Sequence, residues 1–143
     1  MAEKRNFFDL QRHEVLGPYH VRLSTADAHA YLDATAPPHV ASTPVRWLPP
    51  LQIGALLIEK FVEAIEIPPG LVHTGQSFEF LRAIAPDTDF TAQLRVVKIS
   101  DRRGIRLGTI ELELRDIDGP CVRGRSGVLA PLPDTASAGT KQS

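Results

Sequence analysis

The sequence predicts an α+β domain in which one antiparallel sheet wraps around a single long helix. Three observations carry the prediction. Residues 48–66, LPPLQIGALLIEKFVEAIE, form a helical segment whose first half is apolar on nearly every side, Gln52 being the only polar side chain from Leu51 to Ile58. A helix apolar all round has to be enclosed. Nearly everything after it alternates with the two-residue period of β-strands. A chain of 143 residues makes one core, so those strands are the material available to enclose the helix.

The elements follow in order. Phe7, Phe8 and Leu10 interrupt a polar N-terminal stretch and are expected to pack as an arm over residues 1–15. Tyr19 to Leu23 alternates as a short strand. Ser24 or Thr25 supplies an N-cap for a helix running to about Thr35. Residues 36–47, APPHVASTPVRW, read as a loop because three prolines and a Ser-Thr pair oppose regular structure. Pro49 and Pro50 suit the first turn of the central helix, Pro50 to Glu66, since the N–H groups they lack have no partner there. Beyond Ile58 the helix is amphipathic, with Phe61, Val62 and Ile65 opposed to Glu59, Lys60, Glu63 and Glu66.

Pro68-Pro69-Gly70 ends the helix, and Val72 to Ile84 reads as a strand with Phe78 and Phe80 on one face. Phe90, Ala92, Leu94 and Val96 define the next strand. Ser100 to Gly104 reads as a hairpin connection, its glycine placed for positive φ. From Ile105 to Arg115 the apolar phase flips at Gly108, which predicts a bulge or bend there. Asp118-Gly119 closes a further hairpin before a last strand, Cys121 to Leu129. The domain is thus expected over 16–132, with a small, polar, disordered tail over 133–143.

Composition narrows the function classes. Hydrophobic content of 43% and charged content of 23% are ordinary for a globular protein. A formal net charge of -1 argues against a general nucleic-acid binder. No apolar run approaches the ~20 residues that span a bilayer, and no signal-type core follows Met1, so a cytoplasmic location away from membranes is expected. Cys121 is the sole cysteine, which excludes an intrachain disulfide and a cysteine-built metal site. The chain lacks a nucleophile elbow, a phosphate-cradling glycine loop and metal-ligand spacing, so no metal or cofactor is expected.

A sheet wrapped on one helix is a hot-dog fold, and the chain resembles the MaoC-like hydratase/dehydratase family, in its FAS1-like or HadA-like N-terminal branch. Three stretches carry the resemblance: LGPYHVRLSTADAHAYLDAT at 16–35, the double-proline lead-in Leu48-Pro49-Pro50-Leu51-Gln52, and GLVHTGQSFEFLRAIAPDTDF at 70–90. Together they span roughly residues 16–131. The resemblance implies an acyl thioester on coenzyme A or an acyl carrier protein, with water added to or removed from a 3-hydroxyacyl/enoyl pair. It also implies pairing with a second hot-dog subunit, identical or different, so that two sheets become one.

Such chemistry needs a group to move the water's proton and a backbone donor to polarise the thioester carbonyl. The family's arrangement is D-x-N-P-x-H after the first helix, and this chain departs from it: Pro37 stands where the aspartate belongs, and Asp33 precedes His39 by one residue more than the motif requires. His39 is the candidate acid/base, or else an exposed loop histidine. Asp33 is its candidate partner, or a solvent-facing helical carboxylate. Gln52 and Gly54 are candidates to hold the thioester, Gly54 equally a point of close helix–sheet packing. His73 is a candidate ligand contact, or a strand-end residue in water. Arg95, Lys98, Arg102, Arg103, Arg106, Arg123 and Arg125 concentrate basic charge late in the chain, suited to phosphates or acidic carrier helices, or to pairing with Glu111, Glu113 and Asp116. The motif's departure leaves open a non-catalytic substrate-binding or stabilising subunit, or a repurposed thioesterase or biosynthetic tailoring enzyme.

Overall fold

The computed structural model describes residues 4–38 and 44–134. In chain order the elements are β1 (Arg5–Asn6), a 3-10 turn (Phe7–Asp9), β2 (Val15–Leu23), α1 (Thr25–Thr35), α2 (Pro50–Ala64), β3 (Ile65–Glu66), β4 (Val72–Phe80), β5 (Thr88–Arg102), β6 (Ile105–Asp116) and β7 (Gly119–Pro131). β2, β5, β6, β7 and β4 form, in that order, an antiparallel five-stranded sheet, and β1 and β3 pair in parallel beside it.

Local chemistry sets the helix ends. The Ser24 hydroxyl accepts the N–H of Asp27 at 2.9 Å, and the Asp27 carboxylate accepts the N–H of Ser24 at 2.8 Å, a reciprocal cap that starts α1. A second carboxylate arrives from far along the chain: Asp87 accepts both the N–H of Thr25 at 3.1 Å and its hydroxyl at 2.6 Å. Helix N-termini favour negative charge, and the Thr25 hydroxyl holds the Asp87 carboxyl below its usual range. Pro49 caps α2 without a side-chain bond and Pro50 begins it, as the double proline predicts. The helix stops two residues short of the expected Glu66, because Ile65 turns extended and pairs with Arg5.

The inner sheet face reads in rows across four strands. Ala92, Leu114, Val122 and Phe80 are aligned, then Leu94, Leu112, Gly124 and Phe78, then Val96, Ile110, Ser126 and Gln76. Against these rows α2 buries Ile53, Gly54, Leu57, Phe61 and Ala64. On the opposite face Glu111 accepts from Arg95 at 2.9 Å and Arg125 at 3.3 Å, while Glu113 accepts from Arg115 at 3.0 Å and Arg123 at 3.5 Å. The late arginines are thus largely engaged by cross-strand carboxylates, and Arg106 by Asp101 at 2.7 Å.

Several expectations change. The sheet covers one side of α2 only: Leu51 is 73% exposed and Val62 47%, so the apolar first turn is left open among the described residues. The strand after the helix ends at Phe80 rather than Ile84, since Arg82 turns away to Asp116 and the carbonyl of Ile84 accepts Leu48 N–H at 2.7 Å. Gly108 is not a bulge. The extra residue is Val97 on β5, and Ile105 and Leu107 simply lie on the outer face, 36% and 41% exposed. A Cβ at Gly108 would stand 3.3 Å from the Phe7 ring, so the glycine makes room for the arm, and both Phe7 and Leu10 belong to the core. Residues 135–143 of the expected tail lie outside the described residues.

The Arg82–Asp116 pair fastens the β4–β5 connection to the β6–β7 hairpin, with Arg82 also donating to the carbonyl of Gly119 at 2.9 Å. The guanidinium holds the Asp116 carboxyl down at about 2. A folded-state value below the unfolded one stabilises above the unfolded pKa and is lost as pH falls through the folded one. Asp116→Asn is therefore expected to melt below the wild type at neutral pH, and the gap should close as pH falls from about 4 towards 2. Thermal melts across that range check it. A gap independent of pH would assign the pair no role in acid stability.

Candidate functional site

The start of α2 is where the candidate residues gather. Its two prolines have no N–H, and the N–H groups of Gln52 and Ile53 both reach the carbonyl of Pro49, at 3.1 and 3.2 Å. The N–H of Leu51 is left as the one donor of this turn without a partner among the described residues. Gln52 ties the turn to α1, its side-chain amide donating to the carbonyl of Asp27 at 3.1 Å. The Gln52 carbonyl oxygen is buried and has no partner among the described residues. Beside this turn the Arg46 guanidinium lies 5.2 Å from the centroid of the Trp47 ring, and both side chains are exposed.

Gly54 sits one turn on, beyond the unpaired donors of the helix end, and faces the sheet. A Cβ there would stand 3.0 Å from the Phe78 ring. Across the ring, a Cβ at Gly124 would stand 2.7 Å from it. Phe78 therefore spans the gap between helix and sheet, with a glycine on each side. Gly124→Ala forces the ring or the strand to shift, since the new methyl also lies 3.1 Å from the carbonyl of Ser77. Such overpacking is expected to lower stability by about 1–3 kcal/mol. Urea unfolding measures it, and an unchanged midpoint would mean that the ring has room to yield.

The remaining candidates fall as follows. Asp33 lies exposed near the end of α1. His39 lies outside the described residues, so the Asp33–His39 pair is not seen. His73 is exposed on the edge strand β4, opposite Val128 and next to a register shift at Thr74. No hydrogen bond joins Asp33, Gln52 and His73 among the described residues. Another histidine does meet a carboxylate, His20 with Asp89 at 3.3 Å, but on the outer sheet face. Among the described residues no cluster of three or more His, Cys, Asp or Glu side chains is placed to hold a metal ion. No helix among them is long and apolar enough to cross a membrane.

Two features escaped the sequence reading. Ser126, wholly buried, donates its hydroxyl to the Gln76 side-chain carbonyl, and Gln76 donates to the carbonyl of Ser77 at 3.0 Å. The signal was present: Ser126 stands in the inward phase of β7 between Gly124 and Val128. Asp87, which secures α1, lies within the stretch 70–90, where no local pattern marks it as the partner of Thr25.

No family model and no curated protein matches this chain. Solved structures do. A MaoC-like dehydratase from Rhodospirillum rubrum superposes with a TM-score of 0.71 at 13% identity, over 88% of this chain and 96% of that one. The HadBC complex of Mycobacterium tuberculosis, a 3R-hydroxyacyl-ACP dehydratase, gives 0.62 at 13% identity, over 83% and 96%. A mutant of the fluoroacetyl-CoA-specific thioesterase FlK gives 0.64 at 12% identity, over 94% and 98%. The fold is a hot-dog. MaoC-like dehydratases share it, as the resemblance at 16–131 led us to expect, and so does a thioesterase. At these identities the shared feature is the fold, so activity and substrate are argued from this chain's own residues.

Proposed function

We propose that this hot-dog protein acts on acyl thioesters of coenzyme A or an acyl carrier protein, as a hydratase/dehydratase of 3-hydroxyacyl and enoyl groups. The observation that carries the reading is the start of α2, where a Leu51 N–H without a partner among the described residues lies beside exposed apolar surface on a fold that dehydratases share. In the proposed reaction, His39, oriented by Asp33, takes a proton from water as the water oxygen bonds C3 of the enoyl group. The electron pair of the double bond moves onto the thioester oxygen, stabilised by the Leu51 N–H at the start of α2, and returns to C2 with the proton that His39 gives back, Gln52 and Gly54 shaping that turn. Neither a metal nor a redox cofactor enters that balance. The test follows the enoyl absorbance of crotonyl-CoA with purified protein: hydration is expected, and its absence across enoyl-CoAs of several lengths would overturn the catalytic reading.

A second reading, a non-catalytic or stabilising subunit paired with another hot-dog, is favoured by what the chain leaves open. Among the described residues β4 is a sheet edge, Val72 at its start is 51% exposed and Phe80 at its end 40%, and Leu51 in the first turn of α2 is 73% exposed. Exposed edges and apolar patches of this kind are ordinarily covered. A two-fold dimer, with itself or with an active relative, is therefore expected. Light scattering after size exclusion should show it, and a strict monomer at micromolar concentration would count against both forms. Release of free thiol from acyl-CoA without hydration would instead point to a thioesterase.

A further inference from the structure

Phe78 closes the helix–sheet gap directly behind the turn that the proposed function assigns to the thioester. Its ring carbons Cε2, Cδ2 and Cζ lie 3.0–3.3 Å from a Cβ built on Gly54, and Cδ1 and Cε1 lie 2.7–2.8 Å from one built on Gly124. Any side chain at either glycine would displace the ring, so both faces of the gap are cut back to backbone for this one aromatic. Phe80 stacks beside it, ring centroids 6.0 Å apart, towards the end of the strand. On the other side the next inner row carries the half-buried Gln76, bonded to the buried Ser126. An acyl chain running inward from Gly54 along the sheet meets the ring first and a polar pair behind it.

We infer that Phe78 sets the acyl length this protein accepts, confining it to short-chain thioesters. The inference rests on the acyl-thioester reading above. The ring fills the volume that further methylenes would need, and the Gln76–Ser126 pair offers them no apolar lining beyond it. Removing the ring leaves a slot between Gly54 and Gly124, open to a longer chain. Each methylene newly buried there tightens binding roughly four-fold.

The test measures equilibrium binding of acetyl-, butyryl-, hexanoyl- and octanoyl-CoA to the wild type, Phe78→Ala and Phe78→Leu. The leucine variant preserves an apolar, partly filled gap, so the comparison survives if alanine unfolds the protein. For the wild type, affinity should rise to butyryl and then stay flat. For the variants it should go on rising, by roughly four-fold per methylene in the alanine form until the slot is filled. A purely structural role would lower affinity for every length alike. Parallel profiles in all three proteins, or a wild type that favours octanoyl, would overturn the inference while leaving the acyl-thioester reading intact. A wild type that binds none of the four esters would remove that reading and this inference with it.

Discussion

Phe7→Ala is expected to destabilise the protein by about 3–5 kcal/mol, the range for truncating a buried phenylalanine. That is a large share of the ~5–15 kcal/mol that holds a typical domain folded. The reason is the seat the ring occupies. Phe7 is wholly buried, its edge 3.3 Å from where a Cβ at Gly108 would stand, and Ile99 lines the same slot. Phe8 packs on it edge to face, ring centroids 5.4 Å apart. The arm is then fixed from outside: Arg5 donates to the Glu14 carboxylate at 2.6 Å, Arg106 donates to the carbonyl of Phe8, and Arg5 and Asn6 pair with Ile65 and Glu66. Because so much holds the backbone in place, the cavity left by alanine has little chance to collapse. Phe8→Ala, whose ring is only half-buried, is the matched control and should cost distinctly less. Urea denaturation of the three proteins decides it. A Phe7→Ala loss below about 1 kcal/mol would show the arm to be an ornament on a fold complete without it.

That arm marks the limit of what the sequence discloses. Periodicity and caps placed the central helix, its double-proline start, the start of the first helix at Ser24 or Thr25, and a positive φ at Gly104, while the hairpin connection expected over Ser100–Gly104 shrinks to Arg103 and Gly104, φ 53° and 76°, because β5 stays paired through Arg102. These depend on residues close together in the chain. The depth of Phe7 does not: it requires a slot made by Gly108, 101 residues away in sequence, and the surrounding polar stretch has no period to betray it. Gly108 was accordingly misread as a bend. The apolar first turn of the central helix was read as enclosed, because composition records greasiness and not who covers it. For the candidate site the same division holds. Gln52 and Gly54 are legible as a helix start, while their partners, the Asp27 carbonyl and the Phe78 ring, come from elements that only the fold brings near.

His39→Ala is expected to lower turnover about 10²- to 10⁴-fold if the protein is a self-sufficient hydratase, the contribution typical of a positioned acid/base. Adding water to an enoyl thioester needs a group that takes a proton near neutral pH and gives it back, and imidazole, with an unperturbed pKa of about 6.5, suits that demand. The other histidines are poorly placed for it. His13 belongs to the arm, His20 is engaged by Asp89 on the outer sheet face, His29 is half-buried on α1, and His73 is exposed on the β4 edge. Only His39 stands in the segment between α1 and the exposed start of α2, with Asp33 on the helix before it. The loss should fall on kcat and kcat/KM together, because the proton moves in the transition state and not on binding. His20→Ala, on the far side of the sheet, should retain wild-type rates, and both variants should melt as the wild type does. Rates with crotonyl-CoA and longer enoyl-CoAs supply the comparison. Equal rates for wild type and His39→Ala would remove His39 from the mechanism. A wild type inactive alone but stimulating a second hot-dog subunit would assign the proton transfer to that partner.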